Sequence, residues 1–127
     1  YKDDVYCWDV VNEAIEDKST EYLRQSKWLA IIGEDFIQKA FEFAHEADPQ
    51  AQLFYNDYNE CSEDKSEKIF NLVKSLKEKG TPIHGIGLQG HWKILSPTTD
   101  EIRTAIEKYA SLGLKLQITE MDISVFE

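Results

Sequence analysis

Residues 83–92 read IHGIGLQGHW, and this stretch indicates how the rest of the chain is organised. Ile83 to Leu88 form a short, mainly apolar run, which predicts a buried strand. Gln89 to Trp92 follow directly and carry amide, imidazole and indole groups. The stretch therefore predicts a buried strand that ends in a chemically active polar segment.

Similar apolar runs recur along the chain at a regular spacing. Leu53 to Tyr55 and Leu114 to Ile118 predict two further strands, and the runs that begin at 53, 83 and 114 start 30 and 31 residues apart. One strand with its following helix takes about 30 residues. Val5 to Val11, an apolar stretch interrupted by Asp9, predicts a fourth strand nearer the N-terminus.

Helical patterns occupy the segments between these strands. One begins at Gly33 and stops at Asp48, a second runs from Ser62 to Gly80, and a third follows residues 96–99 and stops at Gly113. Acidic residues lie near the start of each helix, where the positive end of the helix dipole stabilises them. The third helix is expected to bury Ile102, Ala105, Ile106 and Tyr109.

Four strands that alternate with helices predict an α/β fold with a parallel sheet and right-handed connections. Residues 14–32 are too long for a simple turn, and a short helix is expected around residues 22–32. Loops of this kind are where sites are built. The pattern leaves open whether the sheet is open or is an arc of a closed barrel. A complete (β/α)8 barrel needs about 250 residues, so a barrel parent would make this chain about half of one.

The charge of the chain argues against several classes of partner. The 127 residues include 14 Lys and Arg against 24 Asp and Glu, a net charge of −10. Nucleic acids and anionic membranes attract clustered basic residues, so neither is an expected partner. No apolar run approaches the roughly 18 residues of a transmembrane helix. The start at Tyr1 is neither an initiator methionine nor a signal-peptide pattern, so we expect a segment whose true N-terminus lies elsewhere.

Polar residues follow all four predicted strands, which is the end where parallel sheets carry their functional groups. These residues are Asn12 and Glu13, then Asn56 to Asn59, then Gln89 to Trp92, and finally Thr119 to Asp122. Glu13 and Glu120 belong to separate strand ends, and glycoside hydrolysis needs two such carboxylates. One protonates the departing oxygen and the other meets the developing positive charge. Polar strand ends serve many other chemistries, so the residues alone leave the reaction open.

Four segments carry a more specific resemblance. They are WDVVNEA (8–14), LFYNDYN (53–59), GIGLQGHW (85–92) and QITEMD (117–122). In order and spacing they resemble the signature segments of family 10 glycoside hydrolases, the endo-β-1,4-xylanases, and the resemblance covers essentially the whole chain. It implies a partial TIM (β/α)8 barrel, about half of the barrel, with strands four to seven and their intervening helices. Residues 1–127 would then be a partial catalytic domain, without the sugar-binding groups of strands one to three and eight.

The resemblance implies a retaining endo-1,4-β-xylanase that cleaves internal bonds of xylan by double displacement, without a metal or organic cofactor. Glu13 would be the acid/base, Glu120 the nucleophile, and Asn12 would hold the 2-hydroxyl of the sugar whose bond is broken. The other residues implied to bind substrate are Tyr58, Gln89, His91 and Trp92, and those implied to support the site are His91, Asp122 and Asn56. A retaining pair lies about 5 to 5.5 Å apart, with the pKa of the acid raised and that of the nucleophile kept low.

Two alternatives remain beside this interpretation. One is a related (β/α)8 glycosidase that acts on other β-glycans. The other is an inactive half-barrel that binds xylan or serves as an interaction module. Exposed sheet edges favour pairing, so such a chain is expected to pair with the missing strands, to self-associate or to fold poorly. The resemblance also implies a secreted or extracellular parent enzyme.

Several residues outside these motif roles are expected to be structural. Trp8, Trp28 and Phe54 fall in apolar stretches and are predicted to pack rather than to stack on sugar. Asp9 and Asp57 are predicted to be buried, hydrogen-bonded acids. Cys7 and Cys61 form no CxxC unit and have no histidine at ligand spacing, so neither a zinc site nor a disulfide scaffold is indicated. Cys7 is expected to be buried and Cys61 to be a free thiol near the rim.

Overall fold

The computed structural model describes residues 1–2, 4–17 and 20–126. The elements in chain order are β1 (Cys7–Asn12), α1 (Lys27–Ile32), α2 (Phe36–Ala47), β2 (Gln52–Asp57), α3 (Glu63–Glu78), β3 (Gly85–Leu88), β4 (His91–Lys93), α4 (Thr99–Ala110), β5 (Lys115–Ile118) and β6 (Asp122–Ser124). The predicted strands and helices are present, and the short helix expected around residues 22–32 is α1. Residues 18 and 19 of the predicted excursion lie outside the described residues.

One parallel sheet organises the chain, in the order β1-β2-β3-β5. The register aligns Asn12 with Asn56, Asn56 with Gly87, and Gly87 with Gln117. Because the strands are parallel and in this register, the segments that follow them emerge at one edge of the sheet. The sheet therefore brings the four polar strand ends to the same side of the molecule.

Helix ends follow the sequence signals closely. Thr98 and Glu101 form a capping box at the start of α4, in which the Thr98 hydroxyl accepts from the Glu101 N–H and the Glu101 carboxylate accepts from the Thr98 N–H. Acidic Glu63 and Asp64 lie in the first turn of α3, and Lys77 lies in its last turn. These charges complement the helix dipole, so the sequence itself specifies where these helices begin.

The core lies between the sheet and the helices that cover it. Fully buried side chains of this core come from β2 and from the inward faces of α2, α3 and α4, and they include Leu53, Tyr55, Phe41, Ile69, Val73 and Tyr109. On α4, Ala105 and Tyr109 are buried and Ile102 is half-buried, but Ile106 is 37% exposed. The prediction that Ile106 is buried is wrong, because Ile102, Ala105 and Tyr109 already form the inward stripe.

The three aromatic residues predicted to pack behave differently. Phe54 is buried, and Trp8 is half-buried, packs against the core and donates from its indole nitrogen to the Asp48 carboxylate at 3.4 Å. Trp28 is 66% exposed, so the packing prediction is wrong for it. Trp28 lies on α1, whose other residues are exposed or half-buried. A helix this short cannot bury an indole unless another surface covers it.

A second, smaller sheet pairs β4 with β6 in parallel, with His91 opposite Asp122. The sequence did not predict these strands, because three-residue strands within polar segments show neither a long apolar run nor alternation. Their pairing places His91 beside the segment that follows β5. Among the described residues, no helix is long and apolar enough to cross a membrane.

Candidate active site

The two predicted catalytic glutamates belong to opposite outer strands of the sheet. Glu13 follows β1 and Glu120 follows β5, with β2 and β3 between these strands. The Glu13 N–H donates to the Asn56 carbonyl at 2.9 Å, and the Glu120 N–H donates to the Gln89 carbonyl at 3.0 Å. Each glutamate is therefore anchored by its backbone to the residues that end an inner strand.

A chain of three amides joins the two carboxylates. The Asn56 Nδ2 donates to Glu120 Oε1 at 2.8 Å and to Asn12 Oδ1 at 2.9 Å. The Gln89 Nε2 donates to the same Asn12 oxygen at 3.2 Å and to Glu13 Oε1 at 3.0 Å. The structure thus brings five of the predicted site residues, one or two from each strand end, into one hydrogen-bonded network.

The absence of a side chain at Gly87 makes room for this network. A Cβ at Gly87 would lie 2.3 Å from Asn56 Oδ1 and 2.9 Å from Thr119 Cγ2. Thr119 Oγ1 donates to Asn56 Oδ1 at 2.7 Å, which orients the amide so that its nitrogen points to Glu120. Glycine on β3 and threonine after β5 therefore fix the orientation of Asn56.

Arg24 pairs with Glu13, and the sequence motifs did not single it out. Its Nη1 lies 2.9 Å from Glu13 Oε2, and its Nη2 donates to the Tyr58 hydroxyl at 3.0 Å. The Arg24 N–H also donates to the Ala14 carbonyl at 2.8 Å, which folds the loop back over the strand end. The predicted excursion over residues 14–32 was the available signal, because it marked this loop as a place for site residues.

Hydrogen bonds to Glu13 favour its ionised form. Donation from Gln89 has the largest effect, Arg24 adds a hydrogen bond and a positive charge, and together with Asn12 they hold the pKa of Glu13 below its usual value, against an opposing effect of burial. The expectation of a raised pKa for the acid is therefore wrong for this structure. The ionised form suits a general base, so acting as an acid requires Glu13 to take up a proton.

His91 bridges two carboxylates on the other side of the site. Its Nδ1 lies 2.7 Å from Asp122 Oδ2, and its Nε2 lies 3.3 Å from Glu120 Oε2. The hydrogen bond with Asp122 is the main cause that raises the pKa of His91, and the Glu120 carboxylate adds to it. The Glu120 carboxylate is therefore contacted at both oxygens, by His91 and by Asn56.

Trp92 lies apart from the amide network. Its indole nitrogen donates to the buried Glu60 carboxylate at 3.0 Å. With His91 and Pro97 it lines a cavity of about 190 Å³ next to Glu120's histidine partner. The sequence did not single out Glu60, whose only visible signal was its place directly after the LFYNDYN segment.

The predictions for the remaining acids and cysteines have mixed outcomes. Asp57 is buried and hydrogen-bonded as predicted, with Lys65 Nζ 3.1 Å from its Oδ1. Asp9 is exposed, so the prediction of a buried acid is wrong there, because its side chain lies on the open face of an outer strand. Both cysteines are free, but Cys61 is buried and Cys7 is half-buried, which reverses the predicted order of exposure.

A larger cavity, of about 580 Å³, opens beside Glu13. Asn12, Glu13, Arg24, Ser26 and Lys39 supply its polar lining, and the rest of its lining is apolar. The apolar lining includes Val10, Trp28, Ile32, Phe36 and Phe43. Among the described residues, no group of three or more His, Cys, Asp or Glu side chains could hold a metal ion.

Comparison with known proteins assigns the family. The family model described as Glycosyl hydrolase family 10 matches residues 1–127. The chain belongs to this family. An endo-1,4-beta-xylanase of Geobacillus stearothermophilus is 67% identical over 127 residues, and endo-1,4-beta-xylanase B of Paenibacillus barcinonensis is 62% identical over 126 residues. These matches cover 100% and 99% of the chain but 38% of each relative.

Solved structures of the family share the fold. The crystal structure of xylanase XynB from Paenibacillus barcinonensis, complexed with a conduramine derivative, superposes with a TM-score of 0.98 at 61% identity. The match covers 100% of this chain and 38% of that one. A structure in complex with xylotriose gives a TM-score of 0.96 at 55% identity and is covered to 39%. The predicted family and the predicted partial (β/α)8 barrel are thus confirmed.

Proposed function

We propose that the protein acts as a retaining endo-1,4-β-xylanase, with Glu13 as acid/base and Glu120 as nucleophile. The observation that carries this proposal is the amide network in which Asn56, Asn12 and Gln89 connect the two carboxylates. Two carboxylates held on opposite sides of a shared polar site are the machinery of glycoside hydrolysis. Relatives named as endo-1,4-beta-xylanases support xylan as the substrate.

The proposed reaction has two steps. Glu120 attacks the anomeric carbon of the sugar while Glu13 gives its proton to the departing glycosidic oxygen, which leaves a glycosyl ester on Glu120. Glu13, now ionised, then takes a proton from water, and the water oxygen displaces Glu120 from the anomeric carbon. Gln89 and Arg24 stabilise the ionised form of Glu13 that the second step needs.

The residues around the pair take supporting roles in this proposal. His91 and Asn56 hold the two oxygens of Glu120, and Asp122 fixes the imidazole from its far side. Asn12 binds the 2-hydroxyl of the sugar under attack. Gln89, Tyr58 and Trp92 line the sugar-binding surface, with Trp92 at the adjacent cavity.

The test uses the full 127-residue chain in two forms. One is the chain alone, and the other, called the grafted enzyme below, is the Geobacillus stearothermophilus relative with its matching segment replaced by residues 1–127. We expect the grafted enzyme to release reducing sugar from xylan with retained anomeric configuration, as followed by NMR. Glu13→Gln should lower kcat/KM on xylan by about 10² to 10⁴, and Glu120→Ala should abolish turnover. Glu107→Gln, an exposed glutamate on α4, is the matched control. Inverted product, or full turnover by Glu120→Ala, would contradict the proposal.

A second candidate is a glycosidase that acts on other β-glycans. It is favoured by one relative, 54% identical over 119 residues, whose name is Exoglucanase XynX of Acetivibrio thermocellus. Hydrolysis of aryl xylobioside and aryl cellobioside by the grafted enzyme and by its unmodified Geobacillus stearothermophilus host separates the two candidates, because the two enzymes differ only in residues 1–127. A shift of preference towards the cellobioside, relative to the host, would favour the glucanase, and the host's own preference would favour the xylanase.

The chain alone could instead serve as a binding or interaction module. In the part of the chain that the structure describes, β1 and β5 are the outer strands of the sheet, and each pairs along one edge only. Light scattering of the chain alone, with and without xylan, tests this candidate. Dimers or complexes without xylan hydrolysis would favour it, and a folded monomer that hydrolyses xylan would exclude it.

We further propose that residues 1–127 form part of a catalytic domain and that the parent enzyme is secreted. One solved relative, from Thermoanaerobacterium saccharolyticum, is described as an intracellular xylanase, so the location of the parent enzyme needs a test of its own. Fractionation of the producing culture tests the proposal. Xylanase recovered only inside the cells would contradict it.

A further inference from the structure

A buried charged cluster lies directly behind Glu13, and the proposed reaction does not use it. Tyr55 and Asp57 are 0% exposed on β2, and Lys65 is 2% exposed on α3. The Tyr55 hydroxyl donates to Asp57 Oδ2, and Lys65 Nζ lies 3.1 Å from Asp57 Oδ1. Burying two charges and a hydroxyl is costly even when they are paired, so apolar residues would serve packing at least as well. We call Tyr55, Asp57 and Lys65 the Tyr55 cluster.

The Tyr55 cluster holds the backbone that follows Glu13. The Tyr55 hydroxyl accepts from the N–H groups of Ala14 at 3.1 Å and of Ile15 at 3.2 Å. Lys65 Nζ donates to the Ile15 carbonyl at 3.2 Å. Glu13 itself has a φ of 55°, a backbone conformation that residues other than glycine seldom adopt. These bonds therefore restrain the two residues after an unusual backbone turn at Glu13.

The same cluster also supports the side chain of Glu13. Asp57 Oδ1 accepts from the Tyr58 N–H at 2.9 Å, and Lys65 Nζ lies 4.4 Å from the centre of the Tyr58 ring. The Tyr58 hydroxyl accepts from Arg24, and Arg24 pairs with Glu13. Glu13 is thus connected to the cluster by two routes, one through the backbone and one through Tyr58 and Arg24.

We propose that Tyr55, Asp57 and Lys65 are positioning residues that place the Glu13 carboxyl for proton transfer to the glycosidic oxygen. The inference rests on the proposed function, because it takes Glu13 to be the acid/base. The Tyr55 cluster contacts the segment that carries Glu13, whereas the Glu120 carboxylate is contacted by His91 and Asn56. Loss of the cluster therefore affects proton transfer more than sugar binding.

The test compares leaving groups in the grafted enzyme carrying Tyr55→Phe. This change removes one hydroxyl, so the Ala14 and Ile15 N–H groups lose their acceptor while the ring stays in place. For xylan and phenyl xylobioside, which need a proton on the departing oxygen, kcat should fall by about 10- to 100-fold with KM unchanged. For dinitrophenyl xylobioside, whose leaving group needs no proton, the rate of glycosyl transfer to the enzyme should be unchanged.

Tyr109→Phe is the matched control. Tyr109 is also 0% exposed, and its hydroxyl donates to the Glu60 carbonyl at 2.7 Å, away from Glu13. Tyr109→Phe should lower the free energy of unfolding, but any change in hydrolysis rate should be the same for phenyl and dinitrophenyl xylobioside. Asp57→Asn is the second test variant, which preserves shape and removes the charge, and it should reproduce the leaving-group pattern of Tyr55→Phe.

Glu13→Gln separates failure of this inference from failure of the proposed function. If Glu13→Gln shows no dependence on the leaving group, Glu13 is not the acid and the proposed function is wrong. If Glu13→Gln shows the dependence while Tyr55→Phe and Asp57→Asn behave like Tyr109→Phe, the positioning role is wrong. The same dependence in all three site variants supports it.

Discussion

Replacing Lys65 by methionine would leave the Asp57 carboxylate buried without its charged partner. Lys65 Nζ lies 3.1 Å from Asp57 Oδ1, and the two side chains are 2% and 0% exposed. At this separation two unit charges attract by about 5 kcal/mol at an effective dielectric constant of about 20. Removing one partner of a buried pair typically costs about 3 to 5 kcal/mol. We therefore expect Lys65→Met to lower the free energy of unfolding at pH 7 by about 3 to 5 kcal/mol.

The loss should depend on pH in a defined direction. Burial raises the pKa of Asp57, and the Tyr55 hydroxyl and Lys65 oppose that rise. Because the pKa is raised on folding, the contribution of Asp57 to stability is fully present below its ordinary value of 3.8 and is lost as pH rises through the folded pKa. Without Lys65 the pKa of Asp57 rises further, so the carboxyl becomes neutral at a higher pH. The destabilisation by Lys65→Met should therefore shrink as pH falls from 7 towards 4.

Urea unfolding of the grafted enzyme measures both effects. The matched control is Lys74→Met, because Lys74 Nζ lies 4.0 Å from Glu78 Oε1 and the two side chains are 55% and 68% exposed. A solvent-exposed pair is worth about 0 to 1 kcal/mol, so the control should stay within that range. Adding Asp57→Asn to Lys65→Met should recover most of the loss. Equal losses for Lys65→Met and Lys74→Met, or a loss that does not change with pH, would refute the reasoning.

Three further predictions concern the site and its surroundings. Gly87→Ala should lower the free energy of unfolding by about 1 to 3 kcal/mol through overpacking and lower xylan hydrolysis at least about tenfold. Gly80→Ala is its control: a Cβ there meets open space among the described residues, but Gly80 has a φ of 75°, so the change should cost about 1 kcal/mol of stability and leave hydrolysis unchanged. Equal activities of the two variants would contradict this prediction. Asp122→Asn should lower the pKa of His91 in an NMR titration, because the hydrogen bond to Asp122 is the main cause of its rise. His91 contributes to stability fully below its ordinary pKa of 6.5, and this contribution is lost as pH rises through the raised pKa, so in Asp122→Asn it should be lost at a lower pH. An unchanged imidazole titration would be evidence against the contact between His91 and Asp122. Burial and nearby carboxylates raise the pKa of Cys61 to about 12. In a Cys7→Ser variant, which removes the second, half-buried thiol, Cys61 should therefore react with a disulfide reagent at pH 8 only after unfolding, and rapid reaction of that folded variant would contradict the burial.

Regular spacing and capping signals made most of the fold predictable. Apolar runs separated by 30 and 31 residues located three strands, and residues 96–99 followed by acidic Asp100 and Glu101 located the start of α4. The grouping of Glu13, Asn56 and Glu120 followed from parallel register, since strand ends in a parallel sheet meet at one edge. These features depend on local sequence and on general topology, so one amino-acid sequence is enough to predict them.

Features that depend on tertiary contact were not predictable in the same way. Strands β4 and β6 are three residues each, and they form only because Asp122 comes back beside His91. Arg24 reaches Glu13 only because its loop folds back onto Ala14. The lowered pKa of Glu13 results from burial, which raises it, and from hydrogen-bond donors in three parts of the chain, which lower it. The relative size of these opposing effects depends on the folded geometry and is not visible in the sequence.

The pairing of Glu120 as nucleophile with Glu13 as acid/base is tested most directly by trapping the covalent intermediate. The grafted enzyme is incubated with a 2-fluoro xylobioside that carries a good leaving group, digested, and mapped by mass spectrometry. The fluorine slows both steps, and the good leaving group preserves the first, so a glycosyl ester accumulates on the nucleophile. We predict a single adduct on the peptide that contains Glu120, absent in Glu120→Ala. An adduct on Glu13 or on another residue, or hydrolysis of xylan without any adduct, would contradict the assignment.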